Sequence, residues 1–204
     1  MKYKLNFSPK VNVSAPPITG ALVGPAALVF FAWQPSTWPV TPAAVDEPFI
    51  YALKQIFEES ILGEINNVIA DVHRSNGDLQ NRGHVLAISI MCALDAIASY
   101  GYRKHHFADF IVAHFPADYH AHAVQIFELY RNSLIHSWNL FEASIYPDDS
   151  RVRMEGGTLV FGLLNFFDAL VQGTGDFLER LAIDPELQKN TLARYDKLKR
   201  TAKP

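Results

Sequence analysis

A mainly α-helical bundle, with a small β-meander insertion and an irregular proline-rich N-terminal arm, is the fold class this sequence predicts. Three observations predict it. Apolar residues recur at helical spacing over most of residues 46 to 183. Seven of the twelve prolines fall before residue 46, where each removes a backbone donor and fixes φ. Between about residues 140 and 161 the spacing shortens to alternating runs separated by turn residues. The corresponding division is an arm over 1–45, a helical domain over 46–183 and a basic helix or tail over 184–204.

Bulk composition agrees with one folded domain. The chain has 204 residues, 49% of them hydrophobic and 19% charged, which is too apolar for a disordered protein. Its net charge of -3 gives no global case for nucleic-acid binding. The charge is uneven: from Glu186 onward six basic residues face two acids, +4 against -7 for the rest. A solvated final helix is the ordinary reading of such a tail. The single cysteine, Cys92, excludes a disulfide framework and a cysteine-based zinc site. It falls in the apolar run "VLAISIMCALDAIASY" and reads as a small core residue in a reducing, cytoplasmic compartment.

Within the arm, "KYKLNF" alternates like a short strand. "ITGALVGPAALVFFAW", residues 18 to 33, is apolar and preceded by Lys2, Lys4 and Lys10. It is shorter than the roughly 20 residues of a membrane span, contains two glycines and a proline, and no A-x-A cleavage site follows. The reading is an apolar arm packed on the domain or on a partner chain, with no membrane partner.

The helical body starts near Asp46. Phe49, Leu53, Ile56, Phe57, Ile61, Ile65, Val68, Ile69 and Val72 predict one long helix that stops at the turn signal "RSNGD". The second helix, about 82 to 100, is apolar on nearly every side and should be the central one, with Gly101 as its C′ residue. Asp95 lies in its middle, and a buried carboxylate needs a partner. It is either a polar anchor or an acid beside a site. A short helix over about 104–114 ends before Pro116, and a further helix, capped by Asp118, runs to about 137. "NLFEASIY", "SRVRME" and "TLVFG" read as three short strands. Helical spacing returns from Leu163 to Leu181, weakened by Gly173 and Gly175. Asp184-Pro185 is an N-cap followed by proline at the first helical position, and opens the basic final helix.

The sequence has no Gly-rich phosphate loop, no G-x-S-x-G, no H-E-x-x-H and no EF-hand loop, and it implies no cofactor. Five of the eight histidines lie between 105 and 122. His105 and Asp109 are an i, i+4 pair, whereas Pro116 interrupts the alignment of His114, Asp118 and His122. His105, Asp109, His114 and His122 are therefore candidate ligands for zinc, iron or nickel, with surface histidines on short helices as the plain alternative.

"YRNSLIHSW" carries the other constellation. Asn132 and His136 share a helical face. Arg131 and His136 are five residues apart, about 140° on an ideal α-helix, so they converge only in a groove or on a distorted turn. Such a histidine can move a proton from a ribose 2′-hydroxyl or to a leaving 5′-oxygen, and such an arginine can hold the phosphate between them. The alternative is an ion-paired arginine and a histidine capping the last carbonyls.

"RNSLIH" resembles the R-x4-6-H motif of the HEPN superfamily in its common form, with a polar residue directly after the arginine. The resemblance extends to the helical context over roughly residues 46–183, and "LYRNSLIHSW" is similar to the core of bacterial HEPN-like proteins. The resemblance implies an up-and-down helical bundle that forms a homodimer, with the motif lining a cleft between two chains. It implies a metal-independent endoribonuclease of toxin, defence or stress type, acting on RNA and partnered by an antitoxin or regulatory protein. Arg131 would bind phosphate, His136 would be the general acid/base and Asn132 would orient one of them. A non-catalytic interaction module is the second reading, and a histidine-based metal-binding protein the third.

Overall fold

The computed structural model describes residues 47–74, 83–102, 106–130, 143–146 and 151–201, which are mainly α-helical with a small β insertion. The N-terminal arm and the turn after residue 74 lie outside the described residues.

The first helix begins as α1 (Glu47–Gln55) and ends as α2 (Glu64–Arg74), with a π-helical segment, Ile56–Gly63, between them. The single regular helix expected from the spacing is thus corrected. Phe49, Leu53, Phe57, Leu62, Ile65 and Ile69 are the buried apolar positions. Four of the five steps between them are α-helical, but Phe57 to Leu62 is a step of five. A π turn, whose hydrogen bonds join residues five apart, absorbs the extra residue and keeps both side chains in the core. Gly63 fits this turn because a Cβ there would lie 2.8 Å from the carbonyl oxygen of Glu58.

The second helix, α3 (Gly83–Gly101), is central as expected: it touches α2, the π segment, and every longer helix that follows. Leu86, Ile90, Leu94 and Ile97 are sealed in the core. It is the one described helix long and apolar enough to cross a membrane, and half of it is buried inside the fold. Burial is not all-round, however. Val85, Cys92 and Ala96 are exposed, and this overturns the reading of Cys92 as a core residue. These positions follow one another at i, i+7 and i+11, so they lie along one stripe of the helix, on the side away from the core. Gly101 ends α3 without positive φ, which among the described glycines occurs only at Gly156 and Gly157. Its role is close approach: a Cβ would sit 2.4 Å from the Phe177 ring.

α4 (His106–His114) follows, then α5 (Ala117–His120) and α6 (Ala123–Glu128). The continuous helix expected from Asp118 onward is broken by a turn at Ala121 and His122. Asp118 lies in the first turn of α5 and does not cap it; Pro116 holds the cap position, and no side chain bonds there.

Three strands form the insertion: β1 (Ala143–Tyr146), β2 (Arg153–Glu155) and β3 (Thr158–Gly162). Their order is β1-β3-β2, with β1 parallel to β3 from Ala143↔Leu159 to Tyr146↔Gly162, so the expected meander is corrected to a mixed sheet. β2 and β3 do form a hairpin, closed by Gly156 and Gly157 at φ 56° and 86° as a two-residue turn of the primed kind. Burial explains the order. Leu159, Val160 and Phe161 are buried on both faces of β3, whereas all of β2 is exposed. A strand apolar on both faces takes the centre, and the exposed strand β2 takes an edge.

α7 (Leu163–Ile183) runs unbroken through Gly173 and Gly175. Gly173 lies where a Cβ would meet the His114 carbonyl oxygen and the Phe115 ring, both at 3.1 Å, so its absence of side chain lets α7 approach α4. Phe166 fastens the sheet to the helices through Phe161 at 5.4 Å, Phe115 at 5.4 Å and Tyr119 at 5.7 Å. α8 (Pro185–Thr201) starts as its sequence predicts: Asp184 Oδ1 accepts from the backbone N–H groups of Glu186 and Leu187 at 2.9 and 3.0 Å. Lys189, Lys197, Lys199 and Arg200 are solvent-facing, while Tyr195 packs edge-on against Phe49 at 5.3 Å.

Candidate functional site

Arg131, Asn132 and His136 lie outside the described residues, as does His105. What the structure describes is the doorstep of the motif. α6 passes into a π turn at Leu129 and Tyr130, the residue before Arg131. Leu129 is buried. The Tyr130 ring stacks on Phe107, with centroids 5.4 Å apart and planes 11° from parallel. Its hydroxyl lies 3.6 Å from Cys92 Sγ. Burial is the main reason its hydroxyl holds its proton far above the ordinary tyrosine range; the Cys92 hydrogen bond and the Asp95 charge add to it.

Asp95 is one helical turn beyond Cys92 on α3. It is not the buried carboxylate its position suggested. Its side chain is 37% exposed, on the rim of α3's uncovered stripe, and it bonds His106 Nε2 at 2.7 Å. The pair links the C-terminal part of α3 to the start of α4. Tyr130, Cys92, Asp95 and His106 thus form one contiguous polar patch at the point where the chain enters "RNSLIH".

Beside this patch runs an apolar groove of about 370 Å³ between the first helix and α3, lined by Ile61, Ile65, Val68, Val85, Ser89 and Cys92 among others. Val68 and Val85 remain largely exposed along it.

The described histidines of the histidine-rich stretch do not converge. Among the described residues no group of three histidine, cysteine or carboxylate side chains is placed to hold a metal. His114 points inward, its side chain fully buried, with Nδ1 bonded to Asp176 and Nε2 2.8 Å from the Tyr102 hydroxyl. His120 Nε2 donates to the Phe115 carbonyl at 2.8 Å. His122 Nδ1 meets Gln125 Oε1 at 3.1 Å. Asp109 lies near Tyr102, where its charge helps hold the hydroxyl protonated, behind the larger effect of burial. Pro116 and the break at residues 121–122 separate His114 from His122, which is the physical reason for the dispersal.

Three participants escape sequence reasoning. His106 is one of several neighbouring histidines, and nothing local marks it as the partner of Asp95. Asp176 lies 62 residues from His114. Glu58 looks like an ordinary surface acid, yet its side chain is only 10% exposed, and its Oε1 is buried without a hydrogen-bond partner.

Compared with protein-family models, curated proteins and solved structures, the chain matches none of the three.

Proposed function

We propose that this chain is a HEPN-type, metal-independent endoribonuclease that works as a homodimer in the cytoplasm. The observation that carries the reading is the turn at Leu129 and Tyr130. The five-residue spacing of Arg131 and His136 is awkward for an α-helix but is the spacing that a π turn's hydrogen bonds join, and the chain enters the motif from such a turn. The mainly α-helical bundle is consistent with the same reading.

In this reading Arg131 binds the scissile phosphate and stabilises the charge that builds on it. His136 takes the 2′-hydroxyl proton as the 2′-oxygen attacks phosphorus, and Asn132 orients one of the two. An antitoxin or regulatory protein would hold such an activity in check. The groove beside Cys92 supports dimerisation, since its exposed Val68 and Val85 offer an apolar face for a second copy. The same groove favours the second reading, a non-catalytic interaction module. The two separate on structured and unstructured RNAs incubated with the purified chain in EDTA. Cleavage ending in a 2′,3′-cyclic phosphate is the expected result; intact RNA across a diverse set, with a folded dimer, would leave the interaction module.

A further inference from the structure

One basic residue of α8 turns inward. Arg194 is half-buried, whereas Lys189, Lys199 and Arg200 face solvent. Its Nε is sealed from solvent without a hydrogen-bond partner, and among the described residues no carboxylate pairs with its guanidinium. One helical turn earlier, the fully buried Thr191 holds a hydroxyl that also lacks a partner. A buried donor left unmade is costly, most of all on a charged group, so two on the inner face of one helix call for an acceptor.

Tyr100, near the end of α3, faces the same place. Burial is the main reason its hydroxyl holds its proton above the ordinary tyrosine range; the Arg194 charge pulls the other way, and Tyr195 adds to burial. Arg194, Tyr100 and Tyr195 are therefore near neighbours. Both rings are fixed edge-on, Tyr100 against Phe57 at 5.2 Å and Tyr195 against Phe49 at 5.3 Å. Neither hydroxyl bonds to another described residue. Lys199 Nζ brings a second positive charge to 5.9 Å from the Tyr195 ring centroid.

We propose that Arg194, Tyr100 and Tyr195, with the Thr191 hydroxyl at the buried end, form a binding site for an oxyanion of the phosphate class, either free phosphate or the phosphate group of a small ester. None of these residues belongs to the patch around Tyr130, so the inference is independent of the ribonuclease reading.

Charge and donor chemistry carry it. Two residues along the chain, the Tyr102 hydroxyl lies in the field of Arg180 together with Asp176, Asp109 and Asp184, so positive charge there is already countered. At Tyr100 the charge felt is that of Arg194, and no carboxylate among the described residues opposes it. Positive charge without a counter-charge selects an anion. The guanidinium offers Nε–H and Nη–H as a parallel fork, which matches two oxygens of a phosphate or carboxylate. The phenols and the threonine hydroxyl can each donate one bond more. A phosphate has oxygens for the fork and the hydroxyls together, whereas a carboxylate has only the pair that the fork occupies. Arg194, Tyr100 and Tyr195 each reach the surface in part, so a small anion can enter. Because the rings are already packed, their hydroxyls need little ordering on binding.

Calorimetric titration of the full chain with inorganic phosphate, ribose 5-phosphate and acetate, at constant ionic strength in chloride, tests the site. Saturable binding of one or both phosphates is expected, with acetate weaker; the tighter phosphate identifies the source. Arg194→Met keeps the aliphatic bulk and removes the fork, and should weaken phosphate binding by about tenfold or more. Tyr100→Phe keeps the ring against Phe57 and loses one donor, and should weaken it by about fivefold. Thermal melting separates binding from a structural role. In chloride, Arg194→Met should melt no lower than the unaltered protein, because it removes a buried donor without a partner. In saturating phosphate the unaltered protein should melt above both variants. Absence of saturable phosphate binding, or binding that both variants retain in full, overturns the site. Acetate binding as tight as phosphate overturns the phosphate assignment. If Arg194→Met does not fold, the loss or retention of binding in Tyr100→Phe decides.

Discussion

Replacing Glu58 by glutamine should flatten the pH dependence of stability in a window set by one buried carboxyl. Glu58 lies in the π segment with its side chain 10% exposed and Oε1 unpartnered; Lys54 Nζ stands 3.9 Å away, too far for a hydrogen bond. Burial raises its pKa from 4.5 to about 7, outweighing the opposing pull of Lys54, and Glu59 adds a little in the same direction as burial. The folded-state value is thus above the unfolded one. Below pH 4.5 both states hold the proton and Glu58 contributes no slope. Between 4.5 and about 7 the unfolded chain releases it while the folded chain keeps it, so stability falls as pH rises, and it levels off above 7. The gap of about 2.5, at 1.36 kcal/mol each, sets a ceiling of about 3.4 kcal/mol, and partial hydration of the carboxyl reduces this to about 2 kcal/mol. Urea unfolding of both proteins from pH 4.5 to 8.5 measures it. Glu58→Gln should match the unaltered protein at pH 4.5 and exceed it by about 2 kcal/mol at pH 8. Parallel curves across the range, or a glutamine variant weaker at pH 8, would refute the reasoning.

Two further outcomes follow from the packing. His114 should give the opposite slope: burial lowers its pKa below 6.5 despite the Asp176 bond, so stability is full above 6.5 and is lost as pH falls below it. NMR titration should show its ring neutral at pH values where an exposed histidine is already half protonated. This term cancels in the Glu58 comparison, because both proteins carry it. Gly101→Ala should destabilise by about 1–3 kcal/mol, since its new methyl would overlap the Phe177 ring, and a chemical denaturation midpoint measures the loss.

Local patterns made most elements legible. The 19-residue run of α3 and the Asp184-Pro185 start of α8 follow spacing and capping rules that involve only neighbours in sequence. What escaped depends on partners distant in the chain. The step from Phe57 to Leu62 becomes a π turn only because both side chains must reach a common core. The parallel pairing of β1 depends on β3 being covered on both faces. Cys92 sits in an apolar run, yet its angle around α3 turns it outward. The same holds at the candidate site. Asp95 was conspicuous as a carboxylate in an apolar helix, but its partner emerged only when α4 folded back across the turn. Among the described residues, His114, His120 and His122 each turn to a different partner, with Pro116 and the following break between them. Arg131, Asn132 and His136 were legible as a motif, and their reading rests on that motif and on the π turn leading into it.

The central claim is that the arginine and histidine of "RNSLIH" cleave RNA without a metal. The most direct measurement is the initial rate of RNA cleavage in EDTA by the unaltered protein, Arg131→Ala and His136→Ala, with folding checked by circular dichroism. The account predicts measurable cleavage by the unaltered chain and a loss of at least about 100-fold in each variant at unchanged helicity. Variants that cleave as fast as the unaltered protein would contradict it.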